Sequence, residues 1–241
     1  MAALTPDLPK AEIAIVEMTN AMRREQKLAA VKTNPQLINA ARAYAKFLAS
    51  KDVFSHSADG RQPAARAADA GYQYCEIAEN LAWHRDGNGF ETRDLAAKIV
   101  SGWMNSPGHR ANLLNAHVTD IGVAVAEAPG GAHKFVSVQL LGRPRSAHIQ
   151  FSISNTAATA VAYSFAGKTH ELKPRQTVTH GECVSGALIF TSAKTLFSST
   201  KEIGRYETSN GAAFIVKSDD KGELRVDLSK PAAPKAVEKR K

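Results

Sequence analysis

The chain is 241 residues long, 44% hydrophobic and 22% charged, an ordinary balance for globular protein and enough length for one large domain or two small ones. Its formal net charge of +8 would suit nucleic acid, anionic lipid or an acidic polymer such as a cell-wall component. Lys and Arg are spread along the chain, and the one dense run is Lys235–Lys241. With no zinc finger, RNA-binding signature or basic and aromatic interleaving, specific nucleic-acid binding is not expected.

No stretch approaches the roughly 20 apolar residues of a membrane span, so no transmembrane segment is expected. Met1–Lys10 holds two prolines, an Asp and no apolar core, and reads as no signal peptide. A cytosolic setting and export by a leader outside this sequence both stay open. Cys75 and Cys183 stand far apart with no Cys-x-x-Cys pattern, which argues against a zinc-thiolate or thioredoxin-like site. One long-range disulfide and two free thiols are both compatible with that spacing.

From Ala11 to about Leu28, Ile13, Val16, Ala21 and Leu28 interleave with Glu12, Glu17, Arg23 and Arg24 at close to helical period. Asn34-Pro35 then supplies a cap and a first-turn proline. Leu37, Ile38, Ala41, Tyr44, Ala45 and Leu48 give a second helix its apolar stripe, ending near Ser50 to Asp52. A short third helix fits Pro63–Ala70, closed by Gly71. A fourth fits Thr92–Met104, with Leu95, Ala96, Ile99, Val100 and Trp103 on one side. The Glu79-Asn80 segment falls between these two and is expected to be a loop.

After Asn115 the period changes. Ile121–Ala126 and Phe135–Leu141 are β-type runs separated by Pro129-Gly130-Gly131, which predicts an antiparallel hairpin. Gly142–Ser146 reads as a boundary, because the segments beyond it all read as strands: 149–153, 160–165, 177–178, 187–191, 214–217 and 224–226. Asn155, Gly167, Pro174, Gly181, Asn210 and Gly211 mark the expected turns. Domains are therefore expected at 1–144 and 145–228, the second a small all-β sandwich-like module. Residues 229–241, rich in Pro, Ala and Lys, are expected to form a disordered basic tail.

Three residues carry the chemistry: His56 in Phe-Ser-His-Ser, Glu79 in Ala-Glu-Asn and His109 in Ser-Pro-Gly-His-Arg. Imidazole nitrogen and carboxylate oxygen are the usual protein ligands of zinc and similar ions, and both exchange protons near neutral pH. Two neutral imidazoles and one carboxylate would make a three-ligand set with an open coordination position. The same residues could instead simply hold a cleft together, with Glu79 and Asn80 satisfying backbone donors in a buried loop. Trp103 and Trp83 read as packing residues, and His84, His117, His133, His148, His170 and His180 as solvated side chains.

Ordered motifs run from about Ala11 to Pro144: Asn20 with Arg23 or Arg24, Leu37 with Ala41–Ala45, Phe54-Ser-His56-Ser, Asp59-Gly-Arg61, Arg66, Ala70-Gly-Tyr72, Ala78-Glu79-Asn80-Leu-Ala82, Trp103–Arg110, Asn112-Leu-Leu114, Ile121-Gly-Val123 and Gln139. In these the sequence resembles the CAP superfamily of cysteine-rich secretory, antigen and pathogenesis-related proteins, in particular its short bacterial branch. The resemblance implies an α+β fold, an α-β-α sandwich CAP domain over about 11–144, with a cleft where two His and two acidic residues face one another. His56, Glu79 and His109 match three of those four. At the fourth, just after the helix ending Trp103-Met104-Asn105-Ser106, this chain offers Asn105 or Ser106 in place of a carboxylate, and Ala78 stands where a Gly usually precedes the Glu-Asn pair.

The expected cleft is therefore His56, Glu79, Asn105, Ser106 and His109, with His56, Glu79 and His109 as the candidate ligands of zinc, calcium or magnesium. Glu76 or Asp59 could supply a replacement oxygen. The reading that follows is a secreted or periplasmic bacterial protein that binds a lipid, sterol, peptide or cell-wall ligand in that cleft, more a binding protein than an enzyme. The alternative is a metal- or His-assisted protease or esterase. No Gly-x-Ser-x-Gly elbow or His-Glu-x-x-His helix supports it, and catalytic residues, if there are any, would be His56, Glu79 and His109. A Cys75–Cys183 bridge would accompany export. The ligand, the oligomeric state and the role of the β module stay open.

Overall fold

A computed structural model describes residues 3–130, 133–192 and 200–229. The chain divides into two compact units, Met1–Ala147 and His148–Lys241. The expected tail beyond Ser229 lies outside the described residues, as does Gly131 of the hairpin turn.

In the first unit, helix α1 spans Leu8–Glu25 and starts before its apolar stripe, because the Asp7 side chain accepts from the Lys10 amide and Pro9 fits the first turn. In its last turn Arg23 is buried, and its guanidinium donates to the carbonyls of Ala29, Leu113, Asn115 and Val118. Four carbonyl dipoles take the place of a carboxylate partner and tie three chain segments together. Helix α2, Pro35–Lys51, is capped by Asn34, whose Oδ1 accepts from Gln36 and Leu37. Asp52 in the left-handed region (φ 51) closes it. Helices α3 (Pro63–Asp69), α4 (Thr92–Asn105) and α5 (Pro107–Leu113) follow.

The sheet has the order β1-β3-β4-β2, from Lys32–Thr33, Asp120–Glu127, Lys134–Pro144 and Tyr74–Arg85 respectively. β3 and β4 form the expected antiparallel hairpin, Ile121 facing Leu141 and Ala126 facing Val136. α1 and α4 bury Ile15, Leu95, Ile99 and Trp103 against one face of the sheet. α2 and α3 bury Leu37, Tyr44, Leu48 and Ala67 against the other, which makes three layers. α2 presses so close to β3 that a Cβ on Gly122 would stand 2.2 Å from the Leu37 carbonyl carbon.

The Glu79-Asn80 segment, expected as a loop, is the middle of β2, paired along its length with β4. Its buried Glu79 and Asn80 break the alternation of apolar and polar residues by which a strand is recognised.

The second unit is all β. One four-stranded sheet has the order β12-β11-β5-β8 (Leu224–Ser229, Ala213–Ser218, Ile149–Asn155, Thr177–Glu182). The other is β10-β9-β6-β7 (Glu202–Glu207, Ala187–Ser192, Val161–Phe165, Lys168–Leu172). Phe151, Ile153, Phe214 and Val216 of the first share a single core with Val161, Tyr163, Leu188 and Phe190 of the second. The strands without a sequence signal, β7 and β10, are polar edge strands. Gly181, expected in a turn, lies within β8. His170 and His180, expected in solvent, instead pack against Tyr163, at ring centroid distances of 5.0 and 5.6 Å.

Candidate functional site

The loop that follows α2 is shaped from below by two buried side chains. The Tyr44 hydroxyl donates to the Ser55 carbonyl and accepts from the Ala58 amide at 3.0 Å. Arg66 of α3 lies with its guanidinium 3.4 Å from the Tyr44 ring centroid and donates to the carbonyls of His56 (2.9 Å) and Arg61 (2.7 Å). The same guanidinium meets two carboxylates, Asp59 at 2.9 Å and Glu79 at 2.8 Å. Burial works against the Asp59 charge, but hydrogen bonds from Arg61 and the field of Arg66 outweigh it and hold this carboxyl below the usual range.

Glu79 reaches this cluster from β2. Its side chain is 1% exposed, and while Oε2 accepts from Arg66, Oε1 lies 2.8 Å from His56 Nδ1. A carboxylate can only accept, so Nδ1 carries a proton, and in the neutral ring Nε2 is the acceptor. Burial pushes the Glu79 carboxyl above its usual value, an effect that Arg66 and His56 partly offset. The imidazole itself is 52% exposed. Its ring is thus oriented by a buried acid while its other edge faces solvent.

Asn80, the next residue on β2, points to the opposite side of the sheet and anchors α5. Its amide donates to Gln139 Oε1 (2.9 Å) and to the His109 carbonyl (3.2 Å). Asn112 donates back to Asn80 Oδ1 (2.9 Å) and to the Glu79 carbonyl (3.2 Å). His109 is thereby fixed beside the Glu79-Asn80 pair, on a helix and not on a loop. Burial, and then the field of the His56 imidazole, lower its pKa.

Asn105 and Ser106 are placed differently. Asn105 ends α4 and lines a separate hollow of about 380 Å³ with Met104, Pro107, Arg110, Ala111 and Leu114. Ser106 is the junction between α4 and α5. Asp59 is committed to Arg61 and Arg66, and Glu76 accepts from Asn115, so neither serves as a replacement ligand. Trp103 is core, but Trp83, expected to pack, is largely exposed. Cys75 stands near the start of β2 and Cys183 directly after β8, and neither is free.

Residues 16–141 match the family model described as CAP, the cysteine-rich secretory protein family. The chain belongs to the CAP family. A Bacillus subtilis relative, the uncharacterized protein YkwD, is 35% identical over 118 residues, which are 48% of this chain and 43% of YkwD. The CAP chain therefore spans under half the length of that relative. An outer surface protein of Borrelia burgdorferi superposes with a TM-score of 0.50 at 20% identity, over 56% of this chain and 94% of that one. This likeness shows the fold. A Bacillus anthracis extracellular protein containing an SCP domain matches with a TM-score of 0.47 at 26% identity, over 59% of this chain and 45% of that one.

The divalent ion that the family implies does not fit the residues of this CAP domain. Both oxygens of Glu79 are engaged, one by a guanidinium that would repel a cation bound alongside. Among the described residues no group of three His, Cys, Asp or Glu is placed to hold a metal ion. Of the expected set, His56 and Glu79 are joined to each other by a hydrogen bond, while His109 is tied in through its backbone carbonyl. The signal that sequence reading passed over was Arg66, which the motifs contained without a role.

Proposed function

We propose that this CAP chain binds a polar ligand at the open edge of His56, with Glu79 and Arg66 as the buried support and His109 as the second wall. The observation behind the reading is the pairing of a 1% exposed carboxylate with a half-exposed imidazole. Such support fixes ring orientation and tautomer, as a site that presents one acceptor to a ligand requires. Among lipid, sterol, peptide and cell-wall ligands, a cell-wall component suits a hydrogen-bonding imidazole edge better than a sterol or fatty acid does. The second unit, read as a β-sandwich accessory domain, and cysteines of which neither is free accompany an exported protein. The family description as secretory supports the same setting. No helix among the described residues is long and apolar enough to cross a membrane.

Isothermal titration with soluble muramyl fragments of peptidoglycan tests the reading. Wild type is expected to bind, and His56→Ala to lose binding without loss of fold. Equal affinities, or preference for cholesterol or palmitate over the fragments, would overturn it.

A hydrolase remains the second reading, because an imidazole oriented by a buried carboxylate is also the arrangement of a general base and its orienter. Its nucleophile would be water activated at Nε2. Release of reducing ends or peptides from peptidoglycan, abolished by Glu79→Gln, would establish it.

A further inference from the structure

Alternate residues of a strand share a face, so Ile77, Glu79, Leu81 and Trp83 of β2 all point toward the layer of α2 and α3. Ile77 and Leu81 are covered by that layer. α2 ends at Lys51, however, and Trp83 lies beyond its cover, 52% exposed. Beside it the loop leaving α2 presents Val53 (40%) and Phe54 (49%). Lys134 joins the two segments, for its ammonium bonds Asp52 and stands 5.3 Å from the centroid of the Trp83 ring.

Phe54 is two residues before His56, and Trp83 four residues along β2 from Glu79, a distance of ~13 Å at strand rise. Exposed apolar side chains thus stand on both segments between the indole and the imidazole, with the Asp52–Lys134 pair among them. Exposed Lys51 and Arg85 border the indole end of this strip, Arg85 lying opposite Lys134 in the β2 and β4 register. Large apolar side chains left in contact with water and rimmed by charge mark a binding surface.

We propose that this strip, Trp83 with Val53 and Phe54, is a subsite for an anionic glycan strand. A pyranose ring stacks on the indole, carboxylates of the strand meet Lys51 and Arg85, and the chain continues to His56. The inference rests on the reading of His56 given above and names its ligand class. The strip is narrow, carries cations at one end and a hydrogen-bonding imidazole at the other, and has the length of a short oligosaccharide. A lipid surface would use the cations and aromatics but not the imidazole.

The test is tryptophan fluorescence of the full chain titrated with a tetrasaccharide of alternating N-acetylglucosamine and N-acetylmuramic acid, and with chitotetraose, which lacks the carboxylates. The chain's two tryptophans differ in environment: Trp83 is exposed and Trp103 buried. Only the first should respond. Trp83→Ala is expected to weaken muramyl binding about tenfold, the loss of one stacking contact, and Trp83→Phe to restore most of it. Arg85→Gln should weaken the muramyl probe and leave chitotetraose unchanged. Those variants are read by calorimetry where the indole is absent.

Wild-type affinity in Trp83→Ala, with His56→Ala defective, would overturn the subsite and spare the His56 reading. The converse would spare the subsite and overturn the His56 reading. Absence of saccharide binding by wild type would overturn both. Binding to phosphatidylcholine–phosphatidylglycerol vesicles that is lost in Trp83→Ala, without saccharide binding, would assign the strip to a membrane surface and overturn the proposal.

Discussion

Arg66→Met is the perturbation that most sharply tests how the site is held. In the wild type the Arg66 side chain is 3% exposed and faces Glu79 at 2.8 Å and Asp59 at 2.9 Å. Methionine keeps the apolar stem but leaves Glu79 buried with His56 alone as partner, and frees the carbonyls of His56 and Arg61. Removing one member of a buried ion pair costs about 3–5 kcal/mol, mostly because the other charge stays desolvated. Asp59 retains Arg61, so the lower part of that range applies, about 3 kcal/mol. Both tryptophans belong to the first unit, and urea unfolding followed by their emission reads this unit. Adding Glu79→Gln removes the orphaned charge, and the double variant should recover more than half of the loss. A single-variant cost under about 1 kcal/mol, or no recovery in the double, would refute the claim that Arg66 neutralises Glu79.

Three further outcomes are expected. Gly122→Ala sets a methyl against the α2 backbone and should destabilise the first unit by roughly 1–3 kcal/mol; an unchanged urea midpoint would show that α2 and β3 are not so close. In the second unit, burial and the neighbouring His170 hold His180 below the ordinary 6.5. The unfolded chain then takes up protons at a higher pH than the folded one, so stability is greatest above about pH 6.5 and falls as the pH drops below it. Protection factors of the β5, β6 and β8 amides, corrected for the intrinsic pH dependence of exchange, should fall between pH 7.5 and 5, and His180→Gln should flatten the change; a protection profile identical in both proteins would contradict it. Thiol titration of denatured, unreduced protein should find no reactive thiol, since neither cysteine is free. Two thiols per chain would instead point to a reducing compartment.

Much of this was legible in the sequence where local chemistry and periodicity agreed. Asn34-Pro35 opened α2 as its cap and proline require, and the β3 and β4 runs paired as their alternation implied. β2 was not legible, because a strand that buries Glu79 on one face and Asn80 on the other has no two-residue apolar period. The partnership that permits this burial comes from Arg66, 13 residues earlier on α3, a tertiary contact invisible to a local pattern. The same holds for the metal expectation. His56, Glu79 and His109 have the right chemistry for ligands, but the guanidinium across Glu79 is set by the packing of α3 on β2. Trp83 escaped recognition because its exposure depends on where α2 stops, at Asp52.

If buried Glu79 presents His56 with its Nε2 edge toward a ligand, nitrogen-15 spectra of the imidazoles recorded with and without soluble muramyl fragments will show it. The expected result is a His56 ring protonated at Nδ1 in the free protein, whose Nε2 resonance moves on saturation while those of His117 and His148 stay still. A His56 ring protonated at Nε2, or an Nε2 signal indifferent to the fragments, would contradict it.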